Sequence, residues 1–393
     1  MLETLLQSSL DQLISSKKFH QGVMAVEKRD GSFSWKGVAK QEALSSAIIS
    51  TDSPFFIASI DKLLNATIIL MLQEQGKLAI DDLVANYLPP DFLTGIHVYQ
   101  GVDYSQSLTI RHLLTHSSGL ADWLEDFSPN GTSLVQEILT QGDRFFTFNE
   151  ISERIRSQLK PHFPPQNLTQ PKVKIRYSDT NFILLIAIIE KLCGKPLHLV
   201  HHELLYSPLG MKNTFFPGFS DFPVFSSQAR QSDKTLRPEQ ILQPVPLRSD
   251  GQLITIPELM KSFRGIYSTT EDLFTFFRAL VNENLFQQEE TLAMMSGSWN
   301  TFGFPSDKAA IRSPGWPIEY GMGIMRFQLP RIFTSLQKLP LVIGHTGSTG
   351  CWLFWAPELD MFLAGSVDEA SAGAVPYRFV PEILKILKQD ALG

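Results

Sequence analysis

Apolar residues recur at helical spacing in the first stretch of the chain, and β-rich runs follow. In "MLETLLQSSLDQLISSKKF" they lie three or four positions apart, which predicts an amphipathic helix. In "GVMAVEKRDGSFSWKGVA" two β-rich runs flank Arg29, Asp30 and Gly31, a turn signal, so we predict a hairpin. The chain therefore opens with a helix and two paired strands.

Helical periods dominate the middle of the chain. The stretch "PFFIASIDKLLNATIILML" leads from a strand-like run into an apolar helix that begins at Ser59 and ends near Gly76. Further helices are predicted in "LAIDDLVANYLP", where two prolines stop the helix, and in "LTIRHLLTHSSGL", "YSDTNFILLIAIIEKLCG" and "PLHLVHHELLYSPLGM". Residues 120–175 are loop-rich, and residues 216–258 are rich in Pro, Ser and Gln, so we expect irregular structure in both.

Strands return near the end of the chain. A helix in "STTEDLFTFFRALV" is followed later by three consecutive strands in "LPLVIGHTGSTG", "CWLFWAPE" and "DMFLAGSVDE", and then by a closing helix in "YRFVPEILKILKQ". Strands at both ends predict an α/β (α+β) fold with an antiparallel sheet flanked by helices. We predict an α/β domain from residues 1–60 and 265–393, a mostly helical domain from residues 61–264, and a site in the cleft between them.

Composition narrows the class of partner. The chain has 393 residues, is 43% hydrophobic and carries a net charge of -6, so nothing in its composition suggests a nucleic-acid or anionic-membrane partner, which would need a basic patch. Its apolar runs are too short to span a bilayer. The N-terminus shows no signal-peptide pattern, so we expect a cytoplasmic protein, although a trimmed exported form would read the same. Cys193 and Cys351 are expected to be reduced thiols.

Ser59 and Lys62 form a Ser-x-x-Lys tetrad at the start of the apolar helix. Three residues make nearly one helical turn, so both side chains can share a face. A serine hydroxyl is a weak nucleophile until a base takes its proton, and lysine is such a base only where burial or positive charge lowers its pKa. The position at a helix start, with free N–H groups for an oxyanion, indicates a nucleophile. The alternative is a charged, solvated lysine without a chemical role.

Two other stretches carry candidate groups. Tyr177 in "IRYSDTNF" precedes an apolar helix and could exchange protons with a neighbouring ammonium. The alternative is a structural tyrosine, with Asp179 as a helix N-cap. His345 closes a strand in "GHTGSTG", where glycines let a ligand approach the backbone, and the alternative is a hairpin without a ligand. His198, His201 and His202 have a spacing that a metal could use, but with no second ligand cluster we expect a solvated helix face.

Taken in order, these motifs resemble those of the serine β-lactamase and penicillin-binding-protein superfamily. The order of motifs is Ser-x-x-Lys, then Tyr-Ser-Asp in place of Tyr-x-Asn, then His-Thr-Gly in place of Lys-Thr-Gly. This set is most similar to the class C, esterase and D-aminopeptidase branch of the superfamily. "LTIRHLLTHSSGL", "SPLGMKNTFF" and "GHTGSTGCWLFWAPE" also resemble motifs of that branch. The resemblance covers roughly residues 20–390.

The resemblance implies a role for each matching position. Ser59 would be the acylated nucleophile, and Lys62 and Tyr177 would be the acid/base pair that serves it. The backbone N–H groups of Ser59 and Ser348 would form the oxyanion hole. The resemblance also implies substrate-binding positions, which are Asp179, His345, Thr346 and Gly347. It implies no metal and no organic cofactor.

Two positions depart from the family pattern. Asp179 stands where the family often has asparagine, and its carboxylate could raise the pKa of Lys62 or repel an anionic substrate. His345 stands where β-lactamases usually have lysine, and a neutral imidazole holds a substrate carboxylate less well. Both departures disfavour an efficient β-lactamase and favour a substrate that is uncharged or cationic.

We therefore expect a serine hydrolase that acts through an acyl-enzyme on an ester or amide bond of a small molecule or short peptide, including D-amino-acid-type substrates. One alternative is a β-lactamase or D,D-peptidase. Another is a non-catalytic binding or scaffold protein on the same fold. The pocket walls are expected from the irregular residues 120–175 and 216–258, where no pattern identifies the substrate.

Overall fold

An antiparallel sheet forms the centre of the structure, a computed structural model that describes residues 1–15, 18–41, 49–170, 172–218, 244–282, 284–311, 313–334 and 336–391. The strands, in chain order, are β1 (Gln21–Lys28), β2 (Ser34–Lys40), β3 (Phe55–Phe56), β4 (Val98–Tyr99), β5 (Val102–Asp103), β6 (Arg248–Ser249), β7 (Gln252–Leu253), β8 (Tyr267–Ser268), β9 (Asn300–Thr301), β10 (Glu319–Tyr320), β11 (Met325–Phe327), β12 (Val342–Thr346), β13 (Trp352–Ala356) and β14 (Met361–Val367). Eight of them form the central sheet in the order β2-β1-β14-β13-β12-β11-β10-β9.

Helices cover the sheet and fill the space beside it. In chain order they are α1 (Leu2–Ser15), α2 (Asp61–Glu74), α3 (Pro90–Leu93), α4 (Ile110–Leu114), α5 (Leu134–Gln141), α6 (Phe148–Gln158), α7 (Asp179–Cys193), α8 (Leu197–His201), α9 (Ser207–Leu209), α10 (Pro257–Phe263), α11 (Thr270–Val281), α12 (Glu289–Ser296) and α13 (Pro376–Asp390). A π-helical turn, His202–Tyr206, joins α8 to α9. Within the described ranges no helix has the length and apolar character needed to cross a bilayer.

The sheet joins the two ends of the chain and has a core on each face. Strand β1 pairs with β14 in a register that runs from Gly22 opposite Val367 to Lys28 opposite Met361. Met24 of β1 belongs to the core that contains α1 and α13, whereas Val23 belongs to the core that contains α2 and α7. Neighbouring residues of a strand point to opposite faces, so β1 is buried on both faces from Gln21 to Val26.

Helix α2 is buried on every side, as expected for an apolar helix without a polar face. Its buried polar side chains find partners nearby. The Asn65 side-chain oxygen lies 2.8 Å from His201 Nε2, and Thr67 Oγ1 donates to the Leu63 carbonyl at 2.9 Å. His201 is therefore buried, and the expectation of a solvated histidine face is wrong at this position.

The short helix expected in "LAIDDLVANYLP" is wrong, because tertiary pairing replaces it. The segment contains only a 3-10 turn, Val84–Asn86. Its backbone pairs instead with the start of α4, through Ile110 N–H to the Asp82 carbonyl at 3.1 Å and Arg111 N–H to the Ile80 carbonyl at 2.7 Å. Backbone groups bonded to a neighbouring segment cannot also close helical turns.

Other helix boundaries follow the sequence signals. Gly194 adopts a left-handed conformation directly after α7, as a helix-ending glycine does. Thr269 caps α11 by accepting a hydrogen bond from the Asp272 N–H at 3.2 Å.

Much of the Pro-, Ser- and Gln-rich segment expected at 216–258 lies outside the described residues. The domain division near residues 60 and 264 stays a prediction.

Leu10 tests whether α1 is part of the structural core or an appendage. Its side chain is fully buried, whereas Leu5 on the same helix is 46% exposed. We expect Leu10→Ala to lower the free energy of unfolding by about 3 kcal/mol, because it leaves a cavity beneath the sheet. Leu5→Ala is the matched control and should change it by less than about 0.5 kcal/mol. Chemical denaturation of both variants measures the difference, and equal effects would contradict a core role for α1.

Candidate active site

A strained turn presents Ser59 at the head of α2. Residues Ala58–Ile60 form a 3-10 turn that leads into the helix, and Ala58 has a φ of 42°, which a residue with a side chain rarely adopts. The Ile57 N–H donates to the Ile266 carbonyl at 3.0 Å, next to the β3–β8 pair, and this bond anchors the entry to the turn. The N–H of Ser59 is among those that a helix start leaves without an intrahelical acceptor.

Lys62 is a buried cation with three polar neighbours. Its side chain is 5% exposed, and its Nζ lies 3.1 Å from Ser59 Oγ, 2.5 Å from Asp179 Oδ1 and 3.7 Å from Asp61 Oδ1. Burial disfavours the ammonium form, but the ion pairs with Asp179 and Asp61 outweigh it and raise the pKa of Lys62 above its ordinary value. Lys62 is therefore an ammonium that donates to Ser59, and the lowered pKa that a resting base requires is not found.

Asp179 reaches Lys62 because the start of α7 is fixed by a neighbouring loop. The residue before the helix is Ser178, and its Oγ donates to the Ala121 carbonyl at 3.1 Å. The Asp179 N–H donates to the Asp122 carboxylate at 3.0 Å. With its own N–H held by Asp122, Asp179 occupies the first turn of α7 and directs its carboxylate to Lys62. This differs from the N-cap role considered for Asp179.

Tyr177 lies beside Lys62 in an aromatic environment. Its ring centroid is 4.3 Å from that of His116 and 5.4 Å from Lys62 Nζ. The phenol hydroxyl is buried and forms no hydrogen bond of ordinary geometry with the described residues, although Ser59 is close enough to affect its titration. Burial and the Asp179 carboxylate raise the pKa of Tyr177 well above its usual value, so the phenol is neutral.

The end of strand β12 forms the opposite side of the site. Thr346, Gly347 and Ser348 line the same cavity as Ser59. A Cβ on Gly347 would lie 2.7 Å from the Ala58 Cβ and 2.3 Å from Cys351 Sγ. Only a residue without a side chain allows this approach, which brings the turn after β12 against the turn that carries Ser59.

His345 occupies the other face of β12. Its ring is fully buried, with Nε2 3.1 Å from the Tyr320 hydroxyl and Nδ1 2.7 Å from the Thr346 carbonyl. Burial, aided by the charge on Lys62, lowers the pKa of His345 to about 3, so the imidazole is neutral. The structure brings together Ser59, Lys62, Tyr177, Asp179, Thr346, Gly347 and Ser348, but it does not bring the His345 ring to the cavity wall.

The cavity has a volume of about 390 Å³, within the range of small-molecule sites. Its lining includes Ser59, Lys62, Tyr177 and Asp179. Part of its wall comes from the predicted loop regions, through Trp123 and Ile138 from one and Ile254 from the other. A further part, between residues 305 and 329, was not anticipated, because apolar residues that line a cavity have the same sequence pattern as residues that line a core.

Asp61 is a buried neighbour of Lys62 that the sequence did not reveal. Adjacent residues on a helix do not normally face each other, so nothing in the tetrad pointed to this contact. Burial and the nearby Asp179 carboxylate raise the pKa of Asp61 to about 6, against the opposing effect of Lys62. Near neutral pH two carboxylates therefore surround one ammonium.

The described residues contain no His, Cys, Asp and Glu cluster arranged to hold a metal ion.

The antiparallel sheet, its flanking helices and the cleft at the end of β12 define a protein of the β-lactamase/transpeptidase fold. A D-stereospecific amidohydrolase from Streptomyces sp. has a similar structure, with a TM-score of 0.68 at 22% sequence identity over 97% of both chains. The sequence profile of the Beta-lactamase family matches residues 10–371, and the chain belongs to that family. The resemblance and the fold class expected from the sequence are confirmed.

Two curated relatives match part of the chain. Esterase EstB of Burkholderia gladioli is 29% identical over 262 residues, which cover 64% of this chain and 59% of the esterase. Penicillin-binding protein 4* of Bacillus subtilis is 29% identical over 214 residues, which cover 53% of this chain and 40% of that protein. The matched part thus spans about half the length of these relatives.

Gly347 tests the contact between the two turns. We expect Gly347→Ala to lower the free energy of unfolding by about 1–3 kcal/mol, because the added methyl overlaps Ala58 and Cys351. Gly303→Ala is the control, since a Cβ there has open space around it. Thermal and chemical denaturation measure both variants. An unchanged Gly347→Ala protein would mean that the two turns are not in contact.

Proposed function

We propose that the protein is a serine hydrolase that cleaves an ester or amide bond through an acyl-enzyme on Ser59. The observation that carries the proposal is the 3.1 Å hydrogen bond between Lys62 Nζ and Ser59 Oγ, two residues that line a mostly apolar cavity. Membership of the Beta-lactamase family and the match to an esterase support it. The proposed substrate is a small molecule or short peptide.

The proposed reaction uses each group near Ser59. The Ser59 oxygen forms a bond to the carbonyl carbon, and its proton passes to Lys62 or Tyr177. The carbonyl electron pair moves onto the oxygen, where the N–H groups of Ser59 and Ser348 stabilise the negative charge. Collapse breaks the bond to the leaving alcohol or amine, which takes the proton. Water then attacks the acyl-enzyme by the same steps and releases the acid.

The charge at the Ser59 end favours some substrates over others. Asp61 and Asp179 contribute two carboxylates against one ammonium, and the His345 imidazole is neutral and does not line the cavity. A substrate carboxylate would be repelled there, whereas a neutral or cationic group would not. This disfavours a β-lactamase or D,D-peptidase. It is compatible with an amidase for D-amino-acid derivatives, and the similar structure from Streptomyces sp. is that of a D-stereospecific amidohydrolase.

The raised pKa of Lys62 predicts an alkaline pH dependence. Both Lys62 and Tyr177 hold their protons near neutral pH, and either must lose one to accept the Ser59 proton, so kcat/KM should rise with pH beyond 8. Asp179→Asn removes a carboxylate that raises both pKa values. It should shift this rise to lower pH by about one unit or more. Asp81→Asn, at a carboxylate paired with Arg111 outside the cavity, should leave the profile unchanged. A profile that Asp179→Asn does not move would exclude both groups as the titrating base.

The choice of bond and the role of Ser59 are tested with two chromogenic substrates. We expect turnover of p-nitrophenyl butyrate, little turnover of a chromogenic cephalosporin, and a loss of at least about a thousandfold in Ser59→Ala. Ser313→Ala is the matched control, because Ser313 also lines the cavity but bonds to the Ala309 carbonyl. Mass spectrometry should detect an acyl adduct on the wild-type protein.

Each result has a separate meaning. Rapid cephalosporin turnover would favour the β-lactamase alternative. Ester turnover that survives in Ser59→Ala would exclude the proposed mechanism. If no substrate turns over and no adduct forms, the proposed hydrolase is rejected in favour of a binding protein on the same fold.

A further inference from the structure

One face of α7 follows the cavity away from Ser59. The residues of this helix that line the cavity are Asp179, Phe182, Ile183 and Ile186, at positions i, i+3, i+4 and i+7. Such residues share one helix face. At a rise of 1.5 Å per residue, the lined stretch runs for about 10 Å from the carboxylate that binds Lys62.

Two other helices contribute only apolar side chains to the same cavity. The cavity-lining residues of α5, of α10 and of α7 beyond Asp179 are all apolar. We refer to six of them as the apolar wall: Ile138, Phe182, Ile183, Ile186, Leu259 and Phe263. Apart from Phe263, which is half-buried, their side chains are at most 5% exposed. This wall offers a ligand no hydrogen bond from a side chain, so only apolar groups gain by entering it.

The cavity is too large to be a packing defect. Protein interiors contain few voids larger than a water molecule, and this one holds about 390 Å³ and is lined by Ser59. Along α7 the lining is polar at Asp179 and apolar from Phe182 to Ile186. A ligand that matches it has one reactive polar group and one unbranched apolar arm.

We propose that the substrate is an ester or amide with an unbranched aliphatic arm of about eight carbons, which lies against the apolar wall along α7. The inference rests on the proposed hydrolase and adds its substrate class. With carbon–carbon bonds of about 1.5 Å in a zigzag, about eight carbons span the 10 Å of wall. Each buried methylene improves binding by about fourfold, so the arm dominates selectivity until the wall ends.

The first test is a series of p-nitrophenyl esters from acetate to dodecanoate. We expect kcat/KM to rise by about fourfold per methylene up to about octanoate and then to fall. In Ile186→Trp, which fills the distal end of the wall, the octanoate-to-acetate ratio should fall at least tenfold. Leu199→Trp, at a helix residue that is 44% exposed and outside the cavity, should keep the wild-type ratio.

A second variant guards against misfolding of Ile186→Trp. Leu139 lines the cavity but is 41% exposed, so Leu139→Asp should fold and also lower the octanoate-to-acetate ratio. Leu199→Asp is its control. A lowered ratio in either cavity variant, with both controls unchanged, supports the inference.

Binding without catalysis separates the two proposals. Calorimetry on the Ser59→Ala protein should show octanamide binding at least about tenfold more tightly than butyramide. Ser59-dependent ester turnover with a flat or falling chain-length profile, and equal binding of the two amides, would overturn the aliphatic-arm inference and leave the hydrolase intact. Absence of Ser59-dependent turnover with preferential octanamide binding would overturn the hydrolase but retain the apolar ligand site.

Discussion

The site depends on the burial of one ammonium group. Lys62 lies in an interior helix, where a lone charge would be unstable, and it is retained because Asp179 and Asp61 lie within ion-pair distance. These partners come from the start of α7 and from α2 itself. The entry to α7 is in turn fixed by Asp122. The position of the charge therefore links the loop after α4, α7 and the Ser59 turn into one unit.

The apolar wall of the cavity strengthens the electrostatic interactions of the charged groups near Ser59. The apolar wall keeps the interior poor in water, and a low local dielectric strengthens the interaction between Lys62 and its carboxylates. The same arrangement places the neutral phenol of Tyr177 next to the ammonium. A bound apolar group would exclude more water from this region, so occupation of the wall and the electrostatics near Ser59 are coupled.

Much of the site could be predicted from the sequence because its parts are local. The spacing of Ser59 and Lys62 within one helical turn and the position of Tyr177 before an apolar helix are visible in short stretches. The contacts between such stretches are not. The left-handed conformation of Ala58 and its close approach to Gly347 are features of the folded chain, and alanine gives no signal for them. The raised pKa of Lys62 likewise depends on distances that only the folded chain defines.

The pairing of β1 with β14 has a consequence for how the protein is made. Strand β1 leaves the ribosome early, but its partner is synthesised more than 300 residues later, which takes roughly half a minute at about 10 residues per second. During that time one edge of β1 has no partner from the central sheet. The sheet that holds the turn after β12 against Ser59 closes only when the last strand is available. The contact between the Gly347 turn and the Ser59 turn can therefore be stabilised by the complete central sheet only after β14 has been synthesised.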